Sequence, residues 1–179
     1  MKTIIITLLM LLLPLIATAT PTIAPSNMVQ RGELIYENGA NSPFSGIVAQ
    51  SYPNGSNRLE MAYLDGIEHG VWRTWHQSGR LASEASYQYG KRHGKSAHFH
   101  KNGQNWYEEH FVEGKWHGVC ARWYPNGKMQ SRKQYKNGQL HGKCDEWHDN
   151  GKIWHSTKYE NGKEVGPYLE WDRNGKKTN

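Results

Sequence analysis

Aliphatic residues are scarce beyond residue 20, and the whole chain holds only three Phe and two Cys. A deep Leu/Ile/Val core is therefore unavailable, and so is a fold stapled by several disulfides. No apolar run reaches the roughly 20 residues that a membrane-crossing helix needs. The longest, Ile4 to Ile16, spans thirteen residues and is broken by Thr7 and Pro14. Catalytic signatures are missing as well: there is no Gly-x-Ser-x-Gly, no P-loop and no His-Glu-x-x-His. The carboxylates Glu84, Glu108 and Glu109 read as solvated strand residues. A thin sheet offers no cleft across which two acids would face each other. The chain is not expected to be an enzyme or to carry a cofactor.

What is present is aromatic and turn-rich: eight Trp, ten Tyr and nineteen Gly. The amino terminus has the order of a signal peptide. Lys2 supplies the positive start, Ile4 to Ile16 the apolar stretch and Ala17-Thr18-Ala19 the small-x-small cleavage pattern. Cleavage between Ala19 and Thr20 is expected, and with it an exported, periplasmic or secreted protein. Lys+Arg minus Asp+Glu is 22 − 16 = +6, and losing Lys2 leaves +5. That balance suits an acidic partner, an anionic surface or plain solubility. Spread over the mature chain and combined with export, it argues against nucleic acid.

One period governs the rest of the sequence. Tyr63, Tyr87, Phe111, Tyr135 and Tyr159 are each 24 residues apart. Gly66, Gly70, Gly79 and Trp75 each head a column with the same step, and Trp75 is followed by Phe99, Trp123, Trp147 and Trp171. Columns kept without insertion mark a repeat array. The expected organisation is a signal peptide over 1–19, a flexible lead-in over 20–33, a degenerate capping repeat over 34–62, five repeats over 63–175 and a polar tail over 176–179. In the degenerate unit, Tyr36-Glu37-Asn38-Gly39 resembles Tyr135-Lys136-Asn137-Gly138 but arrives three residues early. Terminal units are often atypical because they close an end.

Each unit carries two turn signals. Tyr124-Pro125-Asn126-Gly127-Lys128 predicts a tight type I′ hairpin, since Asn-Gly tolerates positive φ. A longer turn runs from Tyr135 to Gly142, with a glycine at each end. The runs between turns are about five to seven residues long, which suits strands and not helices. The fold class is all-β: an elongated single-sheet meander of stacked 24-residue β-hairpin repeats. About ten to twelve strands at about 4.8 Å each would make a sheet about 50 Å long. A two-residue turn at Asn126-Gly127 pairs Trp123 with Gln130, Phe99 with Trp106 and Trp147 with Trp154. Simple alternation puts the Trp123 and Tyr135 columns on opposite faces, and a bulge would reverse that.

The pattern Tyr-x-x-Gly-x-x-x-Gly, an aromatic five residues later and Asn-Gly before the next strand resembles the MORN repeat. More narrowly, it is similar to the bacterial MORN variant of YwqK-like antitoxin proteins. The resemblance runs from Leu34 to Gly175. It implies structural and binding repeats with no shared catalytic residues, and for some members an antitoxin or immunity role against a secreted toxin.

Four histidines, His69, His93, His117 and His141, form a column in the longer turn, and His76, His100 and His148 form a second. Equivalent positions two strands apart lie about 10 Å from each other, too far to share a metal that sits about 2 Å from each nitrogen. Repeat packing explains them, and no metal is expected; only His98 and His100, on one strand face, could chelate weakly. Below about pH 6 the aligned imidazoles would charge and repel, which should lower stability. Cys120 and Cys144 hold equivalent positions in adjacent units. An oxidising compartment favours a disulfide between them, while a meander inserts a strand and opposes it.

Residues that depart from their columns are the candidate partner-binding residues. Trp116 sits where other units carry Glu68, Arg92, Leu140 and Glu164. Trp106 and Trp154 appear in two units only. Arg122 shares a column with Thr74, His98, Glu146 and Glu170, and Arg92 flanks a turn. The functional expectation is a non-catalytic exported repeat protein that binds another protein, its most concrete form an immunity- or antitoxin-like partner of a secreted toxin. The alternative is an envelope scaffold that binds glycan or anionic lipid through its aromatic rows and basic charge.

Overall fold

The computed structural model describes residues 20–179; the segment read as a signal peptide lies outside them. Among the described residues there is no α-helix, only a 3₁₀ turn at Pro25–Asn27. The strands are β1 (Thr22–Ile23), β2 (Met28–Arg31), β3 (Leu34–Glu37), β4 (Gly46–Ser51), β5 (Asn57–Leu64), β6 (Ile67–Glu68), β7 (Gly70–Trp75), β8 (Leu81–Gln88), β9 (Lys91–Phe99), β10 (Asn105–Val112), β11 (Lys115–Trp116), β12 (Gly118–Trp123), β13 (Met129–Lys136), β14 (Gln139–Trp147), β15 (Ile153–Glu160), β16 (Lys163–Glu164) and β17 (Leu169–Glu170). From β4 onward, neighbours in sequence are neighbours in one long antiparallel sheet, the expected meander. Only β1 joins it in parallel, beside β4.

The two turns of each unit exchange the roles assigned to them from sequence. At the Asn126-Gly127 turn only the glycine is left-handed, with φ +81°. Gly127 N–H donates to Tyr124 O at 2.9 Å and Tyr124 N–H to Lys128 O at 2.8 Å. This is a type I turn closed by a glycine bulge, a three-residue loop and not a type I′ pair. The loop is one residue longer than expected, so Trp123 pairs with Met129, Phe99 with Asn105 and Trp147 with Ile153. Gln130, Trp106 and Trp154 are the extra residues that each bulge leaves without a cross-strand partner.

The type I′ geometry appears at the other turn. Asn137 and Gly138 take φ +53° and +86°, and Lys136 pairs with Gln139. Asp65-Gly66, Tyr89-Gly90, Glu113-Gly114 and Asn161-Gly162 repeat it. The second glycine of this region, Gly142 at φ +108°, belongs to a bulge within the strand, where three residues of β14 oppose one of β13.

Successive units are locked together at both rims. On the type I′ rim, Gly90 N–H donates to Glu68 O, Gly114 to Arg92 O, Gly138 to Trp116 O and Gly162 to Leu140 O, all at 2.8–2.9 Å. On the Asn-Gly rim, Tyr52 and Tyr124 donate their hydroxyls to Trp75 O and Trp147 O at 2.8 Å. His76 and His148 reach Phe99 O and Trp171 O through Nε2, at 3.2 and 3.0 Å. A carbonyl only accepts, so Nε2 carries the proton in both rings. Asn126 and Asn150 add side-chain amide bonds to Asp149 O and Arg173 O at 2.8 and 2.7 Å. One histidine column is thus a repeat-to-repeat fastener.

The apolar core is small and sits at the amino-terminal end. Phe44, Val48 and Tyr63 are buried, with Ile23, Met28, Ile35, Met61 and Trp72 packed against them. The separate β2–β3 hairpin, which holds the early Tyr36, covers this end. At the far end the polar tail folds back: Thr178 N–H donates to Glu170 O, and the Asn179 side chain accepts from Glu170 N and donates to Tyr168 O.

Two stability predictions come from these turns. Tyr89 and Glu113 hold a left-handed position, φ +49° and +50°, that costs an ordinary side chain about 1–2 kcal/mol. Replacing either by Asn should raise unfolding stability by about 1 kcal/mol in urea titrations, and no gain would contradict the turn assignment. His100 occupies the fastener column, yet its Nε2 is buried with no partner. His100→Tyr, copying Tyr52 and Tyr124, should stabilise by about 1 kcal/mol, whereas Tyr124→Phe should destabilise by about as much.

Candidate binding face

Cross-strand register divides the sheet into two chemically distinct faces. Tyr63, Tyr87, Phe111, Tyr135 and Tyr159 lie opposite Gly46, Gly70, Gly94, Gly118 and Gly142, all on one face. Each ring covers a backbone that carries no side chain there, which is how a one-layer sheet shields aromatics. The same face carries the column Val48, Trp72, Ser96, Cys120 and Cys144. The opposite face is a lattice of charges, including Arg73–Glu84 at 2.7 Å, Lys95–Glu108 at 2.6 Å and Lys143–Asp145 at 3.1 Å. The more exposed of these pairs, such as Arg73–Glu84, contribute about 0–1 kcal/mol each, whereas Asp145 is buried and also accepts a hydrogen bond from Ser156.

Four of the five candidate residues border the tyrosine face, and the fifth sits at its rim. Arg92 pairs with Tyr87 across strands, lies 3.6 Å from Glu109 and packs over Phe111. Trp116 pairs with Phe111 and tilts against Tyr135, ring centroids 5.1 Å apart. Arg122 pairs with Tyr107 on one side and Ser131 on the other. Trp154 donates its indole N–H to Glu170 at 3.3 Å. Trp106 stands edge-on to Tyr107 at 5.0 Å and leans on His100. Trp106, Trp116 and Trp154 remain 40–44% exposed, unusual for rings of that size.

Two shallow depressions meet at the centre of this face. One, about 200 Å³, is lined by Tyr107, Trp116, Arg122, Lys133 and Tyr135 among others. The next, about 130 Å³, is lined by Arg122, Lys133, Glu146, Trp147 and Trp154 among others. Arg122, Ser131 and Lys133 belong to both, so the two form a continuous trough. Burial alone would push the Lys133 ammonium down, but the Glu146 carboxylate at 2.5 Å carries it upward and keeps it charged. Lys133, Tyr107 and Tyr135 conform to no conspicuous column break, and sequence reasoning passed over them. The register that places them in the trough depends on bulges.

The disulfide allowed on redox grounds does not form. Cys120 and Cys144 are both free thiols, and Lys133 pairs with each of them from the strand between. Two strand spacings, about 10 Å, exceed the reach of a disulfide. Burial pushes both thiols above their ordinary pKa, which makes them poor nucleophiles. Several of the histidines that invited a metal pack against neighbouring rings, although His69 Nδ1 and His100 Nε2 are buried without a hydrogen-bond partner among the described residues. His98 stacks on Tyr107 at 4.2 Å, and His69 meets Tyr89 edge-on at 5.2 Å. Among the described residues no group of three or more His, Cys, Asp or Glu converges as a metal site.

The fold and this face define a class of protein: an all-β repeat ribbon whose units present a continuous aromatic surface. Two segments, residues 68–89 and 116–137, match the family model of the MORN repeat variant. Their starts differ by 116 − 68 = 48 residues, two units of 24, so the matches fall in register with the array. MORN repeats are generally protein- or membrane-binding modules. No curated protein matches the chain.

The half-buried imidazole of His98 gives the face a pH dependence. Burial, and then the Arg92 charge, hold its pKa below the ordinary value. Between the two pKa values the unfolded chain binds the proton and the folded chain does not, so stability falls as pH drops below about 6.5. Urea midpoints should decrease from pH 7.5 to pH 5, and His98→Gln should flatten that slope. An identical slope in the variant would assign the effect elsewhere.

Proposed function

We propose that this is a non-catalytic, exported protein that binds another protein through its tyrosine face, in the manner of an immunity partner of a secreted toxin. The observation that carries the reading is the trough itself. Residues that break the repeat, Trp116, Arg122 and Trp154, gather there with exposed aromatic surface, while the opposite face is closed by ion pairs. Half-exposed Trp and Arg are the side chains that dominate protein interfaces. Inhibition would be steric: a ribbon laid across a partner's active site needs no chemistry of its own. Export rests on the Lys2, Ile4 to Ile16 and Ala17-Thr18-Ala19 pattern.

A second reading is favoured by one feature. The Asn-Gly rim carries Arg80, Lys101, Lys128, Lys152, Arg173 and Lys176, a basic row suited to an anionic envelope surface. The two readings use different edges of the molecule and separate by mutation. Trp116→Ala and Trp154→Ala should each weaken a protein partner by about tenfold or more. Arg73→Ala, on the opposite face, should leave that affinity within about twofold. Pull-down with the product of the neighbouring gene, followed by rescue on co-expression, tests the toxin version. A chain that captures no such product and rescues no growth removes it.

A further inference from the structure

Among the described residues the sheet places three cations on the tyrosine face, Arg92, Arg122 and Lys133, and two of them meet a carboxylate. Lys133 is matched to Glu146 and Arg92 to Glu109. Arg122 has no carboxylate partner among the described residues; it lies 5.8 Å over the Tyr107 ring, where the face of an aromatic holds a guanidinium without neutralising it. It is also the residue shared by both halves of the trough, with Trp116 bordering one and Trp154 the other. Along the same line of the sheet its column reads Thr74, His98, Arg122, Glu146 and Glu170, so the cation appears once in the array.

We infer that Arg122 is the specificity-determining residue of this face and takes a carboxylate side chain of an extended partner segment, with the partner's flanking apolar side chains against Trp116 and Trp154. The inference rests on the protein-binding reading above and names the chemistry of its partner. Charge complementarity selects the occupant: each carboxylate that lines the trough already meets a cation, Glu108 with Lys95, Glu109 with Arg92 and Glu146 with Lys133, which leaves the Arg122 guanidinium as the lining charge without a counterion, forked for bidentate recognition of a carboxylate. The apolar rings on either side exclude water from that pair once a partner is seated, which strengthens it.

The test follows the indole N–H signals of Trp116 and Trp154 in ¹⁵N-labelled protein, assigned with Trp116→Phe and Trp154→Phe. The probes are acetyl-Gly-Leu-Glu-Leu-Gly-amide and the same peptide with Gln for Glu. The Glu peptide should shift both signals in a saturable way and bind about tenfold more tightly than the Gln peptide. In Arg122→Gln, whose melting temperature serves as the folding control, that preference should vanish. Equal binding of the two peptides, or a preference that survives Arg122→Gln, overturns the inference while leaving the face as a binding surface. Signals that respond to neither peptide count against the inference and against the protein-binding reading together. Equal responses to polygalacturonate or to phosphatidylglycerol vesicles overturn it in favour of a glycan or lipid ligand.

Discussion

A sheet one layer thick has nothing to pack against except its own continuation. That constraint shapes this protein. Among the described residues only Phe44, Val48, Tyr63, Ala97, Phe111 and Cys144 are buried apolar side chains, and three of these cluster at the amino-terminal end. The remaining units are held by what they share with the next unit: ladder hydrogen bonds, rings laid over strand glycines, and the turn-to-turn bonds of both rims. Each of these reaches one unit and no further. Stability is therefore local and close to additive along the ribbon.

The same constraint separates scaffold from site. Columns that fasten one unit to the next must recur, because every unit presents the same carbonyl to be met. Tyr52, His76, Tyr124 and His148 meet theirs with two different side chains that share a donor at similar reach. Columns that point from the face into solvent carry no such duty and are free to vary. Arg122 and Glu146 occupy one such column, and Trp116 takes a place filled elsewhere by Arg92 or Leu140. The trough arises where several free positions vary at once over a rigid floor of repeated rings.

Much of this was legible in the sequence. A 24-residue period with short aromatic runs dictates a β-meander, and four of the five residues picked as candidates lie along one face of it. What escaped the sequence was bulge geometry. An Asn-Gly dipeptide serves a type I′ turn or a type I turn closed by a glycine bulge equally well. The choice here follows from Tyr124 N–H reaching Lys128 O, a contact no pattern announces. Tyr89 and Glu113 disguised the true type I′ positions, since neither residue ordinarily adopts positive φ. The shift at each Asn-Gly turn left Trp106 and Trp154 without their expected partners, yet the bulge restored the expected register further along, with Cys120 opposite Lys133; the offset at the Gly142 bulge is what sets Lys133 opposite Cys144 on its other side. The cysteine question turned on strand order alone, and the meander decided it.

The central claim is that each unit depends on its neighbours and not on a shared core. Deleting residues 100–123, one 24-residue unit, joins Phe99 to Tyr124 in register and offers the same fastening groups to the same carbonyls. The account predicts a folded protein with an unchanged β-sheet circular dichroism signature per residue and a modestly lower urea midpoint. A chain that unfolds or aggregates on losing that unit would contradict it.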